Sequence, residues 1–376
     1  MIFQLCPEEA AFLDRVRKFV AEEVLPNTRK WEADKVFPDA IWPRLGELGL
    51  LRMTLAKDQG GVSCSAYVEA CREIAKGDPA LSMNVAAVNA LCVGHVDLFG
   101  TPEQKEKYMA GMTAGTVKLA WGLTEPDAGS DARRVQTKAE AIADRPGYFS
   151  LNGRKMFITN AGKADLIIMV SNVDTSVSAD GKSAFLVETA QDGFRDPYRI
   201  DTVGVSASYT TGFDLVNAVG WHTPCTFTEA IGLLYRGRLA IAAMALGIAE
   251  KAHELSAEYS TQREQFNRRL CDMQSVQNFI ADNEMEIEAA RLLLHKGASM
   301  YDRGEDVVKI SSMAKLYASE VSNRATNRAI QIHGGRGMTQ EFLVEKLWRD
   351  AKLTEIGEGC SEIQRMVIAK QVLKAL

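Results

Sequence analysis

Apolar residues in the first third of the chain recur at three- and four-residue steps. Phe12, Val16, Phe19 and Val20 form one such stripe, and Ile41, Leu45 and Leu48 another. That period is helical. Gly60-Gly61 and Gly77-Asp78-Pro79 punctuate the region, and Thr101-Pro102-Glu103-Gln104 has the form of a helix start, with Thr101 as N-cap and Pro102 at the first helical position. From about Val117 to Val219 the period changes. Short apolar runs at 166–170 and 184–187 read as buried strands, and strands recur too closely for crossover helices. Asn152-Gly153, between 148–151 and 155–159, predicts a two-residue hairpin turn. From about Glu229 the helical period returns in long segments, at 231–261, 273–301 and 307–333. Thirty residues make a helix of roughly 45 Å. The expected fold is an α+β multidomain chain: an N-terminal α-helical domain over 1–116, a middle antiparallel β barrel or sandwich domain over 117–224, and a C-terminal antiparallel helical bundle over 225–376.

Composition adds mainly exclusions. With 46% hydrophobic and 25% charged residues the chain has ample apolar side chain to bury, which excludes disorder as its main state. A net charge of −5 with the signs interspersed argues against a nucleic-acid footprint. No stretch of about 18 uncharged apolar residues predicts a membrane span. The N-terminus carries acids early and lacks the charged and apolar regions of a signal peptide. The seven cysteines are scattered without a C-x-x-C pair, and the five histidines do not cluster. Neither a disulfide framework nor a structural metal is expected, and the chain reads as reduced and cytoplasmic.

Three segments offer chemistry. WGLTEPDAGSD at 121–131 follows a strand and presents backbone N–H groups and the Ser130 hydroxyl at close range. It suits a loop laid against a flat or phosphorylated ligand, although on its residues alone a plain turn after a strand is the commoner case. QIHGGRG at 331–337 ends a long helix, and its glycines either cap that helix or admit another backbone. No G-x-G-x-x-G after a strand and no P-loop occurs, which disfavours those nucleotide sites. GEGCSE at 357–362 holds a lone carboxylate, Glu358, between two glycines. Such a group is either a solvated loop acid or, if buried, a general base with a raised pKa.

Together the motifs LTEPDAGSD, QIHGGRG and RDAKLTEIGEGCSEIQ resemble the acyl-CoA dehydrogenase family, the flavoproteins that desaturate acyl-CoA thioesters. The resemblance runs from the Pro7 helix to Leu376, and the family's domain order agrees with the periodicity above. It implies FAD held by Trp121, Leu123, Thr124 and Ser130, with Phe157-Ile158-Thr159 along the flavin ring in place of the family's Trp-Ile-Thr. It also implies Arg263, Phe266 and Gln274 at the flavin nucleotide, with Arg263 on the pyrophosphate. Gln331, Gly334 and Gly335 match a segment that reaches the FAD of a neighbouring subunit, and Cys360 and Glu362 fall at the cofactor as well. Glu358 falls on the α-proton base. Ser130, Arg238, Gly357 and Gly359 fall on the substrate side, with Arg238 near that base.

Besides Phe157, the chain departs from the family pattern at four places. Asn267 replaces a glycine, Tyr235 an acid, and Gly357 a common Tyr, and the loop at 221–229 is compact. The implied activity is α,β-desaturation to a 2-enoyl-CoA, with the thioester oxygen held by the Glu358 N–H and a ribityl hydroxyl. The implied partners are an electron-transfer flavoprotein and further copies of the chain, as a homotetramer built from dimers. Two alternatives use the same residues: a flavin-dependent enoyl-CoA reductase, and a non-catalytic acyl-CoA-binding relative.

Overall fold

The computed structural model describes residues 5–374. Helices Pro7–Phe19, Cys64–Gly77, Pro79–Ala87 and Pro102–Ala114 dominate the N-terminal part. Their starts are set by local chemistry. Asp78 accepts from the Leu81 N–H at 2.9 Å, so the Gly-Asp-Pro break ends one helix and caps the next. Thr101 and Gln104 satisfy each other's backbone N–H in a capping box, with Pro102 in the first turn.

Seven strands follow: β1 Leu119–Gly122, β2 Lys138–Ala141, β3 Tyr148–Ile158, β4 Leu166–Asn172, β5 Lys182–Glu188, β6 Phe194–Arg199 and β7 Thr211–Thr223. β4, β5, β7, β3 and β2 pair in turn, and a single Lys138–Asn172 bridge returns β2 to β4. Most pairs are antiparallel, but β1 runs parallel to β4, as β2 does at its bridge. This mixed pairing modifies the antiparallel expectation. The hairpin expected at Asn152-Gly153 is absent. β3 runs straight through it along β7, with a bulge between Leu151 and Gly153. The Asn152 side chain bonds to Asn217 on β7, accepting from its N–H at 2.9 Å. A Cβ at Gly153 would lie 2.4 Å from the Thr137 Oγ1. The Asn-Gly pair therefore serves a close strand approach rather than a reversal.

Helices Leu234–Gln262, Gln274–Asp302, Val308–His333, Val344–Ile356 and Ser361–Lys374 complete the chain. The first is almost wholly buried from Arg236 to Glu250 and is rich in alanine there, which lets the Cys64–Gly77 and Val308–His333 helices pack closely against it. Pro79–Phe99 and Phe227–Gln262 are long and apolar enough to cross a bilayer, but 83% and 78% of the 18-residue apolar window in each lies inside the fold, as in core helices. A buried polar cluster joins the three parts. Lys346 bonds Asp350 at 2.5 Å and lies 3.5 Å from Asp78, while Asp350 accepts from the Val205 N–H.

Candidate active site

The loop after β1 is anchored from beneath by its own glutamate. The Glu125 carboxylate accepts from the N–H groups of Gln136 and Thr137, from the Thr137 hydroxyl, and from Lys155 at 2.8 Å. Lys155 is fully buried on β3 and also donates to the carbonyls of Leu123 and Val170. Burial draws its pKa down to about 8, against the pull of Glu125. The Met156 N–H donates to the Thr124 carbonyl at 3.0 Å, so Trp121, Leu123 and Thr124 lie beside the end of β3. There Phe157 takes a left-handed φ of 58° and is 55% exposed, with Thr159 just beyond. The Trp121 Nε1 is buried with no hydrogen-bond partner. Trp121 packs with the small cluster of Ala90, Leu91 and Leu233.

The other wall is the turn between helices Val344–Ile356 and Ser361–Lys374. Ser130 Oγ lies 3.7 Å from Cys360 Sγ, which brings this turn to the loop. Glu358 has φ 55° and Gly359 φ 94°, so two consecutive residues are left-handed. The Gln364 amide donates to both of their carbonyls, and Lys315 Nζ to that of Gly359 at 2.7 Å. The Glu358 carboxylate rests on Gly237, where a Cβ would stand 2.1 Å from Oε2. That oxygen is buried and makes no hydrogen bond. Burial pushes the Glu358 pKa up to about 7, with Arg238 and then Lys315 pulling the other way. Arg238 is itself buried. Burial lowers its pKa and Glu358 opposes this, while its ring neighbour is Tyr235, 5.3 Å from the guanidinium carbon. The backbone N–H of Glu358 donates to no group among the described residues. At Gly357 an added Cβ would meet only Leu353, at 3.5 Å and beyond. Glu362 is exposed at the start of the last helix.

The remaining predicted cofactor residues are elsewhere. Arg238 and Arg263 lie at opposite ends of the Leu234–Gln262 region, roughly 37 Å apart along a straight helix. After Arg263 a short hairpin pairs Glu264–Gln265 with Arg268–Arg269 and carries Phe266, 88% exposed, at its tip. Asn267 there has φ 58°, a conformation asparagine tolerates, so the turn survives the loss of the glycine. Gln274 opens the next helix. Gln331 is exposed near that end, because His333 stacks on Tyr259 at 4.2 Å. Added Cβ atoms at Gly334 or Gly335 would meet nothing within 4 Å. Among the described residues no carboxylate pairs with Arg263.

One chain thus gathers Trp121, Leu123, Thr124, Ser130, Phe157, Arg238 and the Gly357–Cys360 turn. It does not bring Arg263, Phe266, Gln274, Gln331, Gly334 or Gly335 to them. Sequence reasoning missed Gly237, Lys315, Gln364 and the Glu125–Lys155 anchor. The Gly237 signal was present, as a lone glycine between two arginines.

Three family models cover the chain: the acyl-CoA dehydrogenase N-terminal domain at residues 6–116, the middle domain at 120–217 and the C-terminal domain at 227–373. The chain is 38% identical to the probable acyl-CoA dehydrogenase YngJ of Bacillus subtilis, over 100% of both chains. It is 35% identical to the caffeyl-CoA reductase-Etf complex subunit CarC of Acetobacterium woodii, over 96% of each. The structure of butyryl-CoA dehydrogenase from Megasphaera elsdenii matches with a TM-score of 0.93 at 35% identity, covering 99% of this chain and 100% of that one.

Proposed function

The chain belongs to the acyl-CoA dehydrogenase family, and from that premise we propose how its residues carry out the FAD-dependent desaturation of an acyl-CoA thioester. The observation that carries the reading is the Glu358 carboxylate, set against Gly237 with a buried, unbonded Oε2, on a turn whose Cys360 meets Ser130. A carboxylate so placed is a strong base only if water is kept out and a cation keeps it ionisable. Burial supplies the first condition and Arg238 the second. The Glu358 N–H is an unengaged donor for the thioester oxygen, where charge builds as the α-proton leaves. Glu358 takes that proton on its carboxylate.

Bound FAD would supply the acceptor for the hydride that leaves Cβ. The residues fit the cofactor. Trp121 Nε1 is a buried donor without an acceptor, Phe157 offers an exposed ring, and Arg263 is a cation without a carboxylate. Because Arg263 and the Gln331–Gly335 segment stand at the far end of a long helix, they serve the flavin of a second copy. The assembly is a homotetramer of paired dimers, and the electrons leave to an electron-transfer flavoprotein. The substrate is an acyl-CoA broader than a straight chain near Cα and Cβ, because Gly357 leaves room there. The caffeyl-CoA reductase relative supports a second reading, the reverse reaction at the same residues.

The test is anaerobic mixing of the purified yellow protein with butyryl-, isobutyryl-, cyclohexanecarbonyl- and phenylpropionyl-CoA. The flavin band is expected to bleach with at least one of them. A flavin-bearing protein that none of them bleaches contradicts the reading.

A further inference from the structure

Lys315 belongs to none of the motifs above, yet it is wholly buried on the Val308–His333 helix beside the catalytic turn. An ammonium has three protons to place, and burying one costs several kcal/mol unless it is held. Here it donates to the Gly359 carbonyl at 2.7 Å. Gln364 Nε2 donates to the same oxygen at 2.9 Å, so both of its lone pairs are taken. The turn held in this way is the strained one. A non-glycine residue in the left-handed region costs about 1–2 kcal/mol and persists only where its surroundings over-determine it. Glu358 is such a residue, at φ 55°. Lys315 is not within ion-pair distance of the Glu358 carboxylate but acts on it through space. The other groups that face this pair are Arg238 on the Leu234–Gln262 helix, Tyr67 on Cys64–Gly77, Glu355 on Val344–Ile356, and Cys360.

We propose that Lys315 is a positioning residue for the reaction: from the neighbouring helix its ammonium fixes the Gly359 carbonyl and so holds the left-handed turn that presents the Glu358 carboxylate. This rests on Glu358 being the base. It has two consequences. Without the hydrogen bond the carboxylate wanders, and a displacement of about 1 Å can cost on the order of 100-fold in rate. Without the cation Glu358 holds its proton to higher pH, since an opposite charge favours ionisation.

The experiment uses the FAD-loaded enzyme, butyryl-CoA and the acyl-CoAs that bleach it, and stopped-flow flavin reduction from pH 5.5 to 9. Lys315→Met is expected to keep its flavin, to reduce it about 10–100-fold more slowly at pH 8, and to move the acid limb up by about 1 pH unit. Lys315→Gln, which keeps a donor but not the charge, is expected to regain most of the rate with the limb still moved. A Lys315→Met enzyme with the parent's rate and limb overturns the inference. So does a slow Lys315→Met whose limb has not moved and which Lys315→Gln does not improve. If Lys315→Met fails to fold, the limb of Lys315→Gln decides alone, and an unmoved limb overturns it. Glu358→Gln is run alongside. Parent-like reduction by that variant removes the base reading itself, a different result from an active base that ignores Lys315.

Discussion

Gly357 sits one residue before the proposed base, in a turn whose added Cβ would touch only the preceding helical turn. The three nearest atoms to that Cβ position all belong to Leu353. If Gly357 lines the acyl site as proposed, a Tyr ring there would compete with substrate bulk near Cα and Cβ, and apolar pockets discriminate by about 1–3 kcal/mol per group. Gly357→Tyr is therefore expected to lower kcat/KM for phenylpropionyl- or cyclohexanecarbonyl-CoA roughly 10-fold or more relative to butyryl-CoA. Equal losses across the panel would contradict this. The flanking glycines singled out Glu358 in the sequence but left it open between a loop acid and a base, and only the family resemblance pointed to the base. Its supports were not singled out. Lys315 stands on an amphipathic helix where lysine is ordinarily solvated, and its burial comes from long-range packing of the Gly357–Cys360 turn. Glu125 likewise sits in a loop whose sequence does not reveal that Lys155, thirty residues on, closes its ion pair from a strand interior.

At the scale of elements, the long C-terminal helices were legible because their apolar period runs unbroken for more than twenty residues, as in Leu234–Gln262 and Gln274–Asp302. The break in β3 was misread. Asn-Gly is a turn signal only where the chain must reverse, and here β7 extends along the whole of β3 and claims its hydrogen bonds. The short hairpin after Arg263 pairs Glu264–Gln265 with Arg268–Arg269, and among the described residues none of its side chains forms an ion pair with Arg263. In the proposed role, Arg263→Ala would remove two charge-assisted bonds to the FAD pyrophosphate, each on the order of 1.5–3 kcal/mol. The variant is expected to purify with markedly less flavin, a fall of 10-fold or more in affinity, read from the absorbance ratio at 450 and 280 nm. Light scattering on the flavin-bearing parent is expected to give a multiple of the chain mass. Full flavin retention by Arg263→Ala, or a monomeric parent that turns over, would contradict the shared site.

At the scale of the molecule, the order of helical, β and helical parts followed from two changes of period. The way they close on each other did not. The buried Asp78–Lys346–Asp350 cluster joins residues from the first and last parts of the chain and takes the Val205 N–H from between them, and nothing in the local sequence pairs them. The same holds for the site. Ser130 and Cys360 are 230 residues apart in sequence and in contact in space. Arg238, beside Glu358, and Arg263 fall at two ends of one helix, which is the spacing that motivates the proposal of a site completed by a second chain.

The central claim is that Glu358, poised by burial near neutrality, removes the α-proton. Stopped-flow flavin reduction by an acyl-CoA that bleaches the parent, measured on the parent and on Glu358→Gln across pH 5.5 to 9, tests it most directly. Since burial raises the Glu358 pKa to about 7 and only the ionised carboxylate accepts a proton, the parent's rate is expected to climb as pH passes through that value. Glu358→Gln, which keeps the shape but not the basic oxygen, is expected to bind FAD and substrate and to reduce the flavin at least about 100-fold more slowly at every pH. Reduction by Glu358→Gln within a few-fold of the parent, with the same pH profile, would place the base elsewhere.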